Sequence, residues 1–142
     1  MPGLDEALRG YETQVDALVH LARSSGLRPI FVTQPTLWNK NLGQHARSLL
    51  WLGDISEDEY LSVEAGREAI DRYNDVLMHL CETLGAECIN TTSMHGQEQY
   101  YYDDFHFNEA GAAELARIIA AHLIAHASVD DWAPCVDGPR PR

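Results

Sequence analysis

Two stretches of this chain share one constraint: a long amphipathic helix, a glycine, then a short apolar strand. In residues 4–25, Leu8, Tyr11, Val15, Leu18, Val19 and Ala22 recur at three- and four-residue steps. That spacing lines apolar side chains along one face of a helix. Gly26 follows where a left-handed residue stops a helix. Pro29-Ile30-Phe31-Val32-Thr33 is then a β-branched and aromatic run of buried-strand type. It ends at Gln34-Pro35, because proline cannot extend a central strand. The second stretch has the same grammar: Ile70, Tyr73, Leu77, Leu80 and Leu84 predict a helix over 67–84, Gly85 stops it, and 86–90 reads as a strand. A third helix is predicted from the N-cap Asn108 to about His126, with Leu115, Ile119 and Leu123 on one face. Strands alternating with helices imply parallel pairing and a layered α/β architecture. Two strands among three helices are few for such a sheet.

Residues 36–66 carry Trp38, Leu42, Leu49, Leu50, Trp51 and Leu52 among glycine and polar residues. Within them Ser56-Glu57-Asp58-Glu59 has capping-box form and predicts a short helix, and Gly53-Asp54-Ile55-Ser56 reads as a turn and helix cap. A connection of this length is expected to be a lid or binding insert. The segment 130–142 holds three prolines and few apolar residues, so the expectation is one domain over 1–129 and a disordered tail over 130–142.

Composition narrows the function classes. A chain of 142 residues suits one domain that buries roughly 68–70% of its unfolded surface. Ten basic against 22 acidic side chains give a net charge of −12, which removes the counterion-release drive toward nucleic acid. No apolar run approaches the roughly 20 residues of a membrane-spanning helix. The first six residues lack the basic and apolar regions of a signal peptide, so the reducing cytoplasm is the default expectation. On that footing Cys81, Cys88 and Cys135 are expected to be two small buried hydrophobes and a tail thiol, rather than a disulfide or zinc site.

The densest chemistry lies in Tyr102-Asp103-Asp104-Phe105-His106-Phe107-Asn108-Glu109-Ala110-Gly111, after the last strand and before the last helix. Ligands of open α/β sheets sit at the carboxyl ends of strands. A histidine there can act as general base, and a carboxylate three residues earlier can fix its tautomer and stabilise the imidazolium. This segment resembles the last block of the SGNH/GDSL hydrolases, in which an Asp, two residues and a His lead through a glycine into the C-terminal helix. Ile30–Thr36 is similar to that family's fourth-strand segment, and Arg72-Tyr73-Asn74-Asp75-Val76-Leu77 to its helix with a Tyr-Asn pair.

The resemblance covers roughly residues 4–126. It implies a three-layer α/β/α, flavodoxin-like fold with a parallel sheet, and hydrolysis of a small-molecule ester by a Ser-His-Asp mechanism. His106 would be the general base and Asp103 its orienting acid, with Asp104 the adjacent rival. No cofactor or metal is implied. The family's Gly-Asp-Ser nucleophile block and Gly-x-Asn-Asp oxyanion block do not occur in this sequence. The expectation is therefore a C-terminal half, with the N-terminal strands missing, Met1 an internal or misassigned start, and a missing N-terminal half as partner. The alternative is a noncatalytic remnant that acts, if at all, as a binding module.

Plainer readings stand beside these. His106 could be a surface-loop histidine or a helix-cap partner. His95, Asp103, Asp104 and His106 have no standard metal spacing and are expected to be solvated loop residues. Tyr100, Tyr101 and Tyr102 either line an acyl or aryl pocket or pack the loop onto the sheet, and Trp38 and Trp51 carry the same choice.

Overall fold

The computed structural model describes residues 3–51, 54–56 and 59–127. In chain order these form α1 (Leu4–Ser24), β1 (Ile30–Val32), α2 (Gln44–Ser48), β2 (Asp54–Ser56), β3 (Glu59–Tyr60), α3 (Val63–Leu84), β4 (Glu87–Ile89) and α4 (Glu109–His126). Two 3-10 turns, Thr92–Met94 and Glu98–Tyr100, lie between β4 and α4. The protein is thus mixed helix and sheet, mostly helical. β1 and β4 pair in parallel, Phe31 opposite Cys88, while β2 and β3 form a separate antiparallel pair.

The first core follows from the helical periodicity. α1 and α3 pack together, and Val15, Val19, Leu77, Leu80 and Cys81 are buried between them with Phe31 and Cys88 of the sheet against them. Polar ties fix the pair at both ends. Arg72 bonds Asp5 near the start of α1, and the Arg23 guanidinium donates to the Gly85 carbonyl at 2.9 Å. Leu18, expected on the core face, is 52% exposed. The α1 face in contact with α3 is narrower than the apolar stripe in the sequence.

Three further expectations are corrected. α3 begins at Val63, four residues earlier than the periodicity indicates, because Ser62 caps it: its hydroxyl accepts from the Ala65 N–H at 3.1 Å. Asp54–Ser56 and Glu59–Tyr60 are strand, not the start of a helix, while Gly53, Glu57 and Asp58 of those motifs lie outside the described residues. Cys81 and Cys88 are joined by a disulfide, not left as separate thiols. The turn at Gly85, at φ 64°, folds β4 back along the end of α3 and brings the two cysteines to a Cα separation of 5.9 Å. Cys135 and the segment 130–142 lie outside the described residues.

Residues 36–50 make a second core rather than a lid. Leu37, Leu42, Ala46 and Tyr101 are buried together, with Leu49, Leu50, Tyr100 and Phe107 against them. α4 leaves this body at Asn108, whose side chain accepts from the Gly111 N–H at 3.0 Å. At its far end the His122 ring donates to Glu87 at 3.0 Å, and Arg28 donates to the same carboxylate and to the His126 carbonyl. No helix among the described residues is long and apolar enough to cross a membrane.

Candidate active site

The carboxyl ends of β1 and β4 are knitted by side chains that replace a sheet ladder. Asn74 of α3 clasps Gln34, accepting from its N–H at 2.8 Å and donating to its carbonyl at 2.9 Å. Thr33 and Thr91, both buried, bond through their hydroxyls at 2.9 Å, and the Thr91 hydroxyl donates to the Thr33 carbonyl at 2.6 Å. Above these ends lies the loop 102–106, closed by a bridge between Tyr101 and Phe107 and by the Tyr102 N–H donating to the His106 carbonyl at 2.8 Å.

Within that loop the Asp103 carboxylate folds over its own following backbone. Its Oδ1 accepts from the Phe105 N–H at 3.0 Å and the His106 N–H at 2.9 Å. Such local bonding is the ordinary behaviour of aspartate in turns. Here it carries the ring of the third residue onto the same carboxylate: His106 Nδ1 lies 2.8 Å from Oδ2 and 3.0 Å from Oδ1. A carboxylate only accepts, so Nδ1 carries the hydrogen and, in the neutral ring, Nε2 carries the lone pair. The His106 side chain is 71% exposed. Partial burial alone pushes the Asp103 carboxyl up, but the two N–H groups, the His106 ring and the Trp51 indole outweigh it and hold it at about 2. The pair can therefore present an oriented imidazole to solvent, backed by a carboxylate that stays charged.

Asp104 sits differently. It is fully buried, and its carboxylate accepts from the Trp38 indole N–H and, at 2.8 Å, from the Trp51 backbone N–H. Its carbonyl accepts from the Leu37 N–H and the Thr36 hydroxyl, each at 2.9 Å. Asp104 thus ties the segment 36–51 under the loop, while Asp103 faces the histidine. The tryptophans divide in the same way: Trp38 is buried edge-on against Phe105, and Trp51 is 58% exposed. Among the tyrosines, Tyr101 is buried with its hydroxyl on the Met94 carbonyl, and Tyr102 is exposed.

His95 is not a solvated loop residue, nor does it join His106. It is buried, its Nδ1 accepts from the Thr36 N–H at 3.0 Å, and its Nε2 lies 3.7 Å from Asp71. Burial pushes this imidazole below the usual histidine range, nearby Arg67 pushes the same way, and Asp71 opposes both. Asp104 is likewise buried rather than solvated. Among the described residues no group of three or more His, Cys, Asp or Glu is arranged to hold a metal ion. The two contributors that sequence reasoning missed, Asp104 as anchor and Trp51 as a neighbour of Asp103, carry no local signal. The partners of Asp104, Trp38 and Trp51, lie 66 and 53 residues away from it in the chain. The chain matches no family model, and no curated protein or solved structure matches it either.

Proposed function

We propose that this chain supplies the base and its orienting acid to an ester hydrolase of the SGNH/GDSL type. In this reading His106 Nε2 takes the proton from a serine hydroxyl as that oxygen attacks the ester carbonyl. Asp103 holds Nδ1–H and stabilises the imidazolium, which then protonates the departing alcohol. The serine and the oxyanion donors come from a segment outside this chain, which also adds the parallel strands that would complete a three-layer α/β/α, flavodoxin-like sheet beside β1. The observation that carries the reading is the 2.8 Å contact between His106 Nδ1 and Asp103 Oδ2 on an exposed imidazole at the carboxyl end of the sheet. The absence of a Gly-Asp-Ser string from the 142 residues favours a second reading, a noncatalytic binding module.

Complementation separates the two. The chain is co-expressed with an N-terminal half of an SGNH hydrolase that carries the Gly-Asp-Ser block, then treated with a fluorophosphonate probe and assayed on p-nitrophenyl acetate. The expected result is labelling of the added serine and turnover that depends on this chain. His106→Ala abolishes turnover, and Asp103→Asn lowers it by about 10⁴-fold, the scale of a mis-set tautomer. Turnover that survives His106→Ala, or no turnover in a complex that forms, would leave the binding module as the better account.

A further inference from the structure

A cleft of about 500 Å³ opens between the segment around Asn39 and Lys40 and the N-terminal half of α3. That volume is within the range of small-molecule sites. Glu64, Glu68, Asp71 and Asp75 line it at steps of four, three and four residues, so they stand along one face of the helix. A row of acids on a helix is ordinarily a solvated face, but here a buried group lies behind it. The His95 side chain is 4% exposed, and its Nε2 has no hydrogen-bond partner among the described residues. Because Nδ1 accepts from the Thr36 N–H, Nε2 carries the hydrogen in the neutral ring. That nitrogen lies 3.7 Å from Asp71 on the cleft wall, too far for a bond. A buried donor left unpaired is costly.

What keeps Asp71 from His95 is Arg67, whose Nε donates to both Asp71 oxygens at 2.8 Å. A ligand carboxylate that draws the Arg67 guanidinium to itself frees Asp71 to accept from His95. The rest of the lining shows what else such a ligand carries. Arg72, also on the wall, is paired with Asp5 of α1. Among the described residues Lys40, Glu64, Glu68 and Asp75 form no ion pair, so the unpaired lining holds one positive and three negative groups. A simple anion meets that excess, and the chain's −12, as repulsion. A simple diamine satisfies carboxylates but leaves Lys40, Arg67 and His95 as they are. A ligand with two ammonium groups and one carboxylate engages all of them.

We propose that this cleft binds a basic amino acid, its carboxylate held by Lys40 and Arg67 and its ammonium groups by Glu64, Glu68 and Asp75, while Asp71 turns to His95. The site is independent of the roles given to His106 and Asp103, and it stands whether or not the chain takes part in ester hydrolysis.

The test titrates the ¹⁵N-labelled protein with L-lysine, with cadaverine, the same skeleton without the carboxylate, and with glutarate, a dicarboxylate without ammonium groups. L-Lysine is expected to bind about five-fold tighter than cadaverine, the upper increment of one exposed ion pair, and glutarate not at all. Lysine alone should move the His95 Nε2–H resonance downfield, as that proton bonds Asp71. Lys40→Met keeps the apolar stem and should bring lysine and cadaverine to equal affinity, while Glu68→Gln should weaken both. Lys40 and Glu68 are exposed, so neither change threatens the fold. Equal binding of lysine and cadaverine by the wild type, a preference that survives Lys40→Met, or no binding of lysine would overturn the site. An unmoved His95 resonance in the lysine complex would overturn the hand-over of Asp71 from Arg67 to His95.

Discussion

Asp103 and Asp104 are neighbours in the chain and opposites in environment. Asp103 satisfies its carboxylate with local N–H groups and an exposed imidazole, whereas Asp104 is sealed inside and holds two tryptophan N–H groups from a distant segment. Buried hydrogen bonds to a charged group are worth more than exposed ones, and their loss strands the donors. Asp104→Ala should therefore destabilise the protein by about 3 kcal/mol or more, and Asp103→Ala by about 1 kcal/mol, in urea denaturation. The reverse order would show that Asp104 is not the anchor. The Asp-x-x-His pairing was legible in sequence because one turn makes it. The Asp104 anchor was not, because adjacent aspartates look alike until long-range packing separates them.

Among the elements, α3 shows most clearly how packing overrides local preference. Gly66 lies in its first turns, where helix propensity disfavours a glycine, just before the start at residue 67 that the apolar spacing gives. The structure keeps the glycine helical and buried because the Trp38 ring lies where a Cβ would be. Gly10 in α1 has nothing within 4 Å of that position. The two glycines should thus respond with opposite signs. Gly10→Ala should stabilise by up to about 1 kcal/mol through helix propensity, and Gly66→Ala should destabilise by roughly 1–3 kcal/mol through overpacking. Thermal melts of the two variants check the pair, and a stabilising Gly66→Ala would mean that Trp38 can move aside freely. Gly111 repeats the theme at α4, where a Cβ would collide with the Tyr100 carbonyl oxygen.

At the scale of the whole molecule, two small cores are joined by polar contacts, so stability should depend on pH in two steps. His95 has its imidazole lowered by burial. The unfolded chain then takes up that proton first, and stability begins to fall as pH drops below about 6.5. Asp103 and Glu87 are both held at about 2, Glu87 chiefly by its bond to Arg28. A lowered carboxylate adds stability that is complete above its unfolded value and is lost as pH falls through the folded one. The second loss therefore lies between about pH 4.5 and 2. Urea midpoints from pH 8 to 2 should show both declines, with the upper one absent in a His95→Gln variant that retains the fold. A single decline below pH 4.5 in the wild type would remove His95 from this account.

The periodicity of three helices, the glycine stops, the N-cap at Asn108 and the close approach of Asp103 to His106 all rest on contacts within a few residues. Local spacing and hydrogen bonding suffice to specify them. The burial of His95, the Asp104 anchor and the split between Trp38 inside and Trp51 outside depend on which distant surfaces meet. Their energies come from burial and from pairing groups up to 66 residues apart, and no pattern along the chain encodes that pairing until the helices have packed.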